Sequence, residues 1–322
     1  MTARILPLLF ATLALAAALP LAAQPYPNQP IRMISPFPPG GSVDITARLI
    51  AEPLAAQLGT RIVIDNRSGA SGNIGMEAAA RAKPDGYTIV LNTIPLVTNQ
   101  SLFDKLGWDP IKDFAPIGMV ATSPHVLVVP DKLRANSVEE LVRLARASPG
   151  RLTYASAGVG TTLHFCAEMF KDATHTFILH VPYRGGGPAL LDTLAGQVDM
   201  SFPTLSAALP HVRAGTLRAL AVTDTRRSAL LPEVPTMQEA GVKDFQFTQW
   251  LALLAPAGTP REVVVRLNSA LRAVLESREM RDKFREGAFE SFITTPEEAG
   301  TFIAREARRF SSLIKARGIT AN

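Results

Sequence analysis

A short β-rich run, a glycine-rich turn and a segment with helical apolar spacing follow one another repeatedly along this sequence. Four such units are clear, with turns at 38–42, 68–72, 158–161 and 185–187. Strands that alternate with helices in this way form parallel sheets, with the helices packed on the sheet faces. The repeated pattern therefore predicts an α/β fold.

The length of the chain predicts two lobes of this kind. At about 150 residues per domain, 322 residues suggest two domains, each with a core of its own. The stretches 121–125 and 243–249 precede β-rich runs and are predicted to carry the chain out of one lobe and back. We therefore expect a first lobe from 24–123 and 248–322, a second lobe from 124–247, and a two-strand hinge. A cleft between such lobes can open and close.

Capping boxes mark further helix starts. In this motif a Ser or Thr is followed three residues later by Glu, and each side chain bonds a backbone N–H near the helix start. The pairs are Ser137 with Glu140, Thr259 with Glu262, and Thr295 with Glu298. Helices are therefore predicted to begin close to 138, 260 and 296.

The first residues have the layout of an export signal. Arg4 precedes an apolar run from Ile5 to Leu19, and small residues lead to Ala23. This order is typical of a secretory signal peptide, with cleavage expected after Ala23. A membrane anchor is the alternative, but the run is shorter than the roughly 18 to 20 apolar residues that span a bilayer. We predict a signal peptide at 1–23 and a mature protein outside the cytoplasm.

Charge and cysteine content argue against several kinds of partner. The 33 Lys and Arg residues and 28 Asp and Glu residues give a formal net charge of +5. That charge is too small and too dispersed for a nucleic-acid-binding surface. Cys166 is the only cysteine, which excludes an intrachain disulfide and an all-cysteine metal site.

Motifs for nucleotide binding and catalysis are incomplete. The run Gly158–Leu163 lacks the third glycine of a dinucleotide fingerprint, and no phosphate loop with Gly-Lys-Ser or Gly-Lys-Thr occurs. The run Gly69–Asn73 lacks the last glycine of a nucleophile elbow, so Ser71 is interpreted as a loop hydrogen-bonding residue. The 5 histidines show no metal-ligand spacing. His164 is expected to have a capping or packing role, and Cys166 is expected to be buried and inert. We predict no cofactor, no metal ion and no catalytic residue.

The glycine-rich turns indicate a different chemistry. Glycine lets the backbone approach a ligand closely, and the first N–H groups of the following helix have no partner within the helix. Helix N-termini of this kind attract anions. Any one turn could simply connect a strand to a helix, but four together favour a site for a small carboxylate or phosphate between the lobes.

Several segments taken in order resemble a known family. They are Tyr26–Ile31, Pro36–Asp44, Asp65–Gly75, Pro84–Thr88, Tyr154–His164, Val181–Ala189, Ala195–Asp199 and Trp250–Pro260. Together they cover essentially the whole mature chain and are similar to the Bug-type receptors of tripartite tricarboxylate transporters, which are periplasmic solute-binding proteins.

The resemblance implies a two-lobed periplasmic-binding-protein fold, type II-like, with the ligand cleft between lobes joined by a two-strand hinge. It also implies that a ligand carboxylate is held by backbone amides, hydroxyl groups and ordered waters rather than by a basic side chain. The positions that match the family's ligand loops form the expected binding site. They are Phe37, Gly40, Gly41, Asp44, Ser71, Gly72, Thr93, Ser156, Gly158, Gly160, Thr161, Thr162, Tyr183 and Asp199.

The function that follows is a monomeric receptor that captures a small organic acid and delivers it to the membrane permease of a tripartite tricarboxylate-type transporter, with no reaction catalysed. A secreted α/β enzyme that acts on a carboxylate is one alternative, which the missing triad and metal spacing disfavour. A sensory receptor with the same cleft is another, and only its partner distinguishes it. Dicarboxylates, tricarboxylates, amino acids and aromatic acids could all satisfy one anchored carboxylate.

Overall fold

The computed structural model describes residues 26–320, and the structural statements below concern that range. The signal peptide predicted at 1–23 lies outside the described residues. Within the range no helix combines the length and the apolar character that a bilayer crossing requires.

The first sheet has six strands and mixes parallel with antiparallel pairing. Numbered along the chain, its strands are β1 (Ile31–Ser35), β2 (Ile62–Asn66), β3 (Thr88–Asn92), β4 (Phe114–Pro124), β10 (Thr248–Pro256) and β11 (Glu290–Ser291). Their order across the sheet is β11-β4-β10-β3-β1-β2. β1 pairs in parallel with β2 and β3, whereas β10 runs antiparallel to both of its neighbours. The expectation of parallel sheets is therefore correct for the βα units and wrong for the strands near the hinge.

The second sheet has five strands and also combines parallel with antiparallel pairing. They are β5 (Val126–Pro130), β6 (Thr153–Ser156), β7 (Leu179–Pro182), β8 (Met200–Ser201) and β9 (Leu217–Val222). Their order is β7-β6-β8-β5-β9. The three strands that belong to βα units, β7, β6 and β8, are parallel, and β5 is antiparallel to β8 and β9.

The two sheets are joined by two neighbouring strand connections. β4 continues into β5 through His125 alone. The returning chain lies beside this crossing, because the Thr223 N–H donates to the His125 carbonyl at 2.9 Å and the Phe247 N–H donates to the Thr223 carbonyl at 3.0 Å. β10 then pairs antiparallel with β4, starting with Thr248 opposite Pro124. We propose that the lobes meet at 123/124 and 247/248, as predicted. The distribution of the strands between the two sheets supports these boundaries.

Helices cover both faces of each sheet. They are α1 (Ser42–Leu58), α2 (Asn73–Ala80), α3 (Pro95–Leu102), α4 (Val138–Ala147), α5 (Thr162–Thr174), α6 (Gly186–Leu194), α7 (Leu205–Arg213), α8 (Arg261–Glu276), α9 (Arg278–Glu286) and α10 (Pro296–Arg317). A short 3₁₀ turn, Ala70–Gly72, precedes α2. Apolar residues of both lobes share one core cluster, in which Phe310 of α10 contacts Phe165 of α5 and Phe247 at ring separations of 5.3 and 6.4 Å.

The predicted helix caps have different outcomes. Thr295 and Glu298 form the complete capping box at the start of α10. Ser137 caps α4 by accepting from the Glu140 N–H at 3.1 Å. The prediction for Thr259 is wrong, because its hydroxyl donates to the Pro256 carbonyl at 2.7 Å and α8 begins without a side-chain cap. The Thr259 side chain therefore stabilises the turn after β10 and does not cap α8.

Candidate functional site

A cavity lies between the two lobes, at the carboxyl ends of the parallel strands. The space between its walls measures about 470 Å³, including the part open to solvent. The first lobe and hinge supply Phe37, Gly41, Ser42, Val43, Thr93, Pro95 and Gln249, and the second lobe supplies Ala157, Thr161, Thr162, Leu163, Gly186, Pro203, Thr204 and Ala207. Among these lining residues no side chain is ionisable.

The cavity wall is built from the first turns of five of the described helices, α1, α3, α5, α6 and α7. None of these five helix starts has a side-chain cap. Away from the cavity, in contrast, α4, α9 and α10 are capped by Ser137, Ser277 and Thr295. Five of the seven uncapped helix starts among the described residues therefore line the cavity, whereas those of α2 and α8 lie elsewhere. In α3, Pro95 has no N–H, and the Leu96 and Val97 N–H groups donate to the Thr93 and Ile94 carbonyls at 2.8 and 2.9 Å. The backbone N–H groups that can serve a ligand are thus those of α1, α5, α6 and α7.

This arrangement favours an anion in the cavity. Each helix N-terminus carries partial positive charge worth typically under about 1 kcal/mol to a nearby anion at an exposed end, and more where water is excluded. Several N-termini that meet at one cavity add their effects, and no lining carboxylate competes for the same donors. A carboxylate can thus be bound without a lysine or arginine.

Two threonine hydroxyls on the wall differ in whether they are available to a ligand. Thr93 is 4% exposed, and its Oγ1 has no hydrogen-bond partner among the described residues. A buried hydroxyl without a partner costs free energy, which a ligand that accepts its hydrogen bond would recover. The Thr161 hydroxyl instead donates to the Gly158 carbonyl at 2.6 Å, so it supports the loop before α5 and leaves the helix N–H groups uncapped.

Gln249 connects the two lobes inside the cavity. Its Nε2 donates to Ser42 Oγ of α1 at 2.8 Å, and its Oε1 accepts from Thr162 Oγ1 of α5 at 3.3 Å. The side chain is 1% exposed and stands on the hinge strand β10. Gln249 thereby ties the starts of α1 and α5 to the hinge.

The residues expected from the family's ligand loops occupy three kinds of position. Those on the cavity wall are Phe37, Gly41, Thr93, Thr161 and Thr162. Gly72 lies behind this wall, where a β-carbon added to it would come within 3.1 Å of the Phe37 ring. The others support the ligand loops or lie between the lobes.

Asp44 holds the first ligand loop in place. Its carboxylate accepts from the Gly40 N–H at 3.2 Å, from Arg48 Nε at 3.0 Å and from Asn66 Nδ2 at 3.0 Å. Asn66 also donates to the Phe37 carbonyl at 2.9 Å. Burial alone would raise the pKa of Asp44, but these hydrogen bonds outweigh burial and hold the pKa below its usual range. Asp44 is thus a charged support of the loop rather than part of the wall.

Ser71, Gly158 and Gly160 lie where the lobes touch. A β-carbon added to Gly158 would come within 2.7 Å of Ser71 Oγ on the other lobe. One added to Gly160 would come within 2.4 Å of the Leu102 side chain of α3. The Gly160 carbonyl accepts from Thr98 Oγ1 of α3 at 2.8 Å. These positions therefore set how closely the lobes can approach.

Ser156, Tyr183 and Asp199 support the second lobe. Ser156 Oγ accepts from the Gly158 N–H at 3.1 Å, within the loop before α5. Asp199 accepts from the Thr153 N–H at 2.8 Å and ties β6 to the chain before β8. Tyr183 donates to Asp192 at 2.7 Å, and burial together with that hydrogen bond raises the pKa of Tyr183 to about 12.

Sequence reasoning missed part of the cavity wall. The lining residues not expected are Ser42, Val43, Pro95, Ala157, Leu163, Gly186, Pro203, Thr204, Ala207 and Gln249. Ser42, Val43, Ala157 and Leu163 directly neighbour expected residues, and Gly186 lies in the predicted glycine-rich turn 185–187. The other five are outside the predicted turns, and no local signal distinguished them as wall residues, although Gln249 ends the predicted crossing at 243–249.

Groups with catalytic potential do not assemble at the cavity. Cys166 is fully buried, and burial raises the pKa of its thiol well above the usual range. No cluster of potential metal ligands is found in the described part of the chain. Two α/β lobes, a two-strand hinge and an uncharged cavity walled by helix N-termini define the class of periplasmic solute-binding proteins.

Comparison with known proteins agrees with this class. The model of the tripartite tricarboxylate transporter family receptor matches residues 46–319. Protein BugT of Bordetella pertussis is 38% identical over 303 residues, which are 94% of this chain and 93% of that protein. A solved R. palustris protein with adipate has a TM-score of 0.89 at 37% identity, covering 91% of this chain and 99% of that one. The solved periplasmic binding protein BugD has a TM-score of 0.88 at 33% identity, with the same coverage of 91% and 99%. The chain belongs to the receptor family of tripartite tricarboxylate transporters.

Proposed function

We propose that this protein binds a small organic acid in the cavity between its lobes and delivers it to the membrane permease of a tripartite tricarboxylate-type transporter. The observation that carries the proposal is the meeting of uncapped helix N-termini, with N–H donors from α1, α5, α6 and α7, at one cavity whose lining has no ionisable side chain. Free N–H donors without acidic competitors suit a carboxylate.

The cavity walls also favour a ligand with an apolar body. Phe37, Val43, Pro95 and Leu163 contribute hydrocarbon surface beside the N–H donors. A short aliphatic acid can place its carboxylate at the helix starts and its methylene groups against these side chains. The similar R. palustris protein solved with adipate supports this ligand class. We therefore propose aliphatic dicarboxylates as the first candidates.

The receptor is proposed to be non-enzymatic and monomeric. Family membership supports binding rather than catalysis. The buried, protonated Cys166 and the position of Ser71 against Gly158 give no activated nucleophile at the cavity. A secreted enzyme that acts on a carboxylate is the alternative, and it would change the bound acid chemically.

The proposed compartment is the periplasm, reached through a cleavable signal peptide at 1–23. The family and the likeness to the periplasmic binding protein BugD support the compartment. The apolar run and the small residues before Gln24 support the signal peptide. A sensory receptor would share the compartment and the cleft but would deliver its bound form to a signalling partner.

A thermal-shift panel tests the proposed function. Adipate, malate, citrate and benzoate are the anionic probes, and glucose and choline are the controls. A probe at 100 times its dissociation constant contributes about 2.7 kcal/mol, which corresponds to a rise in melting temperature of roughly 4 °C for a chain of this length. We expect at least one carboxylate to give this rise and to be recovered unchanged after incubation. A shift with glucose or choline and none with a wider set of carboxylates would reject the proposal, and chemical turnover of a bound acid would favour the enzyme.

A further inference from the structure

Three aromatic rings stack behind the loop that precedes α5. Tyr154 of β6 and His180 of β7 have ring centroids 4.7 Å apart, and His180 and His164 of α5 have centroids 4.6 Å apart. Tyr154 is fully buried and His164 is 5% exposed. None of the three rings is among the residues that line the cavity.

Both histidines are bonded to the loop at 156–161. His164 Nδ1 accepts from the Gly160 N–H at 3.3 Å. His180 Nε2 shares a hydrogen bond of 2.6 Å with Ser156 Oγ, which in turn accepts from the Gly158 N–H at 3.1 Å. The loop that leads to the uncapped start of α5 therefore rests on the histidine pair.

The charged and titratable groups that face the pair are Glu168 and Lys171 of α5 and Tyr154 of β6. Glu168 accepts from Tyr154 at 2.5 Å and from Lys171 at 2.7 Å, so its charge is already compensated. Burial lowers the pKa of His164 and of His180 to about 4. The neighbouring His164 lowers the pKa of His180 further, Lys171 lowers the pKa of both histidines, and Glu168 raises it. Both histidines are therefore neutral at pH 7.

We propose that His164 and His180 are positioning residues for the ligand loop: as a neutral pair they hold 156–161 in its binding conformation, and protonation of the pair weakens binding. The inference rests on the proposed function, because it assumes that the start of α5 receives the carboxylate. It adds a dependence of affinity on pH that the cavity wall alone does not predict.

The chemistry of the hydrogen bond explains the effect. Neutral His164 can accept at Nδ1 only when its proton is on Nε2. A protonated ring would present an N–H to the Gly160 N–H, so two donors would face each other. The Gly160 carbonyl also accepts from Thr98 of the first lobe, so a displaced Gly160 disturbs the contact between the lobes as well. Acid therefore opposes both the loop conformation and closure.

The test compares His164→Asn with His164→Leu by titration calorimetry with adipate between pH 7.5 and pH 4.0. Asn can place an acceptor oxygen near the position of Nδ1 but does not titrate, whereas Leu offers no acceptor. We expect the affinity of the wild-type protein to fall about twofold more across this range than that of His164→Asn, because a pKa of about 4 leaves half of the free protein protonated at pH 4.0 and the bound state requires neutral His164. At pH 7.5 we expect His164→Leu to bind more weakly than His164→Asn.

The matched control is His175→Asn, the same change at an exposed histidine whose positive φ of 49° suits Asn. It should keep the pH dependence of the wild-type protein. Protonation of adipate itself affects all variants equally, so the difference between profiles isolates His164. Equal pH profiles for the wild-type protein and His164→Asn, or equal affinities of the Asn and Leu variants at pH 7.5, would overturn the proposal.

A readout without ligand keeps the inference separate from the proposed function. In the ¹⁵N NMR spectrum of the wild-type protein, His164 Nδ1 should be unprotonated at pH 7.5, and its protonation should coincide with faster exchange of the Gly160 amide. A protonated Nδ1 at pH 7.5, or a Gly160 amide that is insensitive to this protonation, would reject the positioning role. If adipate fails to bind while the NMR result holds, the choice of ligand is wrong and the positioning role stands.

Discussion

At the scale of single residues, glycines with the same local pattern have different roles. Gly41 precedes α1 with extended backbone (φ −86°, ψ 166°), and a β-carbon there would meet nothing closer than 3.9 Å. Gly160 has a φ of +77°, and a β-carbon would come within 2.4 Å of Leu102. A side chain at Gly41 therefore tests ligand binding, whereas one at Gly160 also disturbs the backbone and the contact between lobes.

The residue-scale prediction concerns Gly41→Asp. Aspartate is a strong N-cap, so its carboxylate should bond the free N–H groups of α1 and compete with the ligand. We expect affinity for the best carboxylate of the panel to fall by more than about tenfold, with a melting temperature equal to or above that of the wild-type protein. Gly41→Ala fits the same space without a carboxylate and should lose far less affinity. Equal affinities of the two variants in calorimetry would show that the N–H groups of α1 do not bind the ligand.

At the scale of elements, the sequence pattern identified the strand-turn-helix units whose turns contain glycine. Four glycine-rich turns were expected to face a ligand. The helix starts that follow three of them, α1, α5 and α6, line the cavity, whereas the turn at 68–72 before α2 does not. The starts of α3 and α7 also line it, but they follow Thr93 and Pro203 without a glycine, so no local signal separated them from ordinary loops. The contribution of Gln249 depends on the pairing of β10 with distant strands, which local pattern does not encode.

Long-range contacts also explain why some residues have roles that differ from the predicted ones. Ser71 and Gly158 belong to turns of the expected kind, yet the closed arrangement of the lobes places them against each other. Thr259 has the spacing of a capping box, but its hydroxyl donates to the Pro256 carbonyl in the turn that follows β10. The local sequence was therefore sufficient to predict where the turns occur. It was not sufficient to predict which surface of the molecule each turn faces.

The element-scale prediction uses the turn before α6. A β-carbon on Gly187 would come within 2.5 Å of the Pro39 carbonyl oxygen on the other lobe, whereas one on Gly186 would meet only Gly41 Cα at 3.8 Å. Because the Gly187 clash is with the opposite lobe, Gly187→Ala should fold normally but resist closure. We expect its affinity for the best carboxylate to fall by more than about tenfold, with a radius of gyration at saturation larger than that of the bound wild-type protein.

Gly186→Ala is the matched control, since it adds the same methyl group to the neighbouring residue without the clash. Its melting temperature should resemble that of Gly187→Ala, and its affinity should stay closer to that of the wild-type protein. Small-angle scattering that shows the same compaction for both variants would contradict the role of this turn in closure.

At the scale of the whole molecule, we expect the lobes to close about the hinge, beside the apolar core that they share. β4 and β10 remain paired across the first lobe while the chain crosses at His125. Phe310 of α10 packs against Phe165 of the second lobe, so the lobes also share apolar contact beside the hinge. A ligand that binds the closed state better than the open one shifts this equilibrium and stabilises the folded protein by mass action.

The central claim is that backbone N–H groups at converging helix starts bind the carboxylate. The most direct measurement is a crystal structure of the wild-type protein grown with the tightest carboxylate of the panel. We predict a carboxylate within about 3 Å of backbone N–H groups at the starts of α1 and α5, beside Gln249 and with no lysine or arginine in contact. A ligand bound outside the cavity, or one whose carboxylate is paired with a basic side chain, would contradict it.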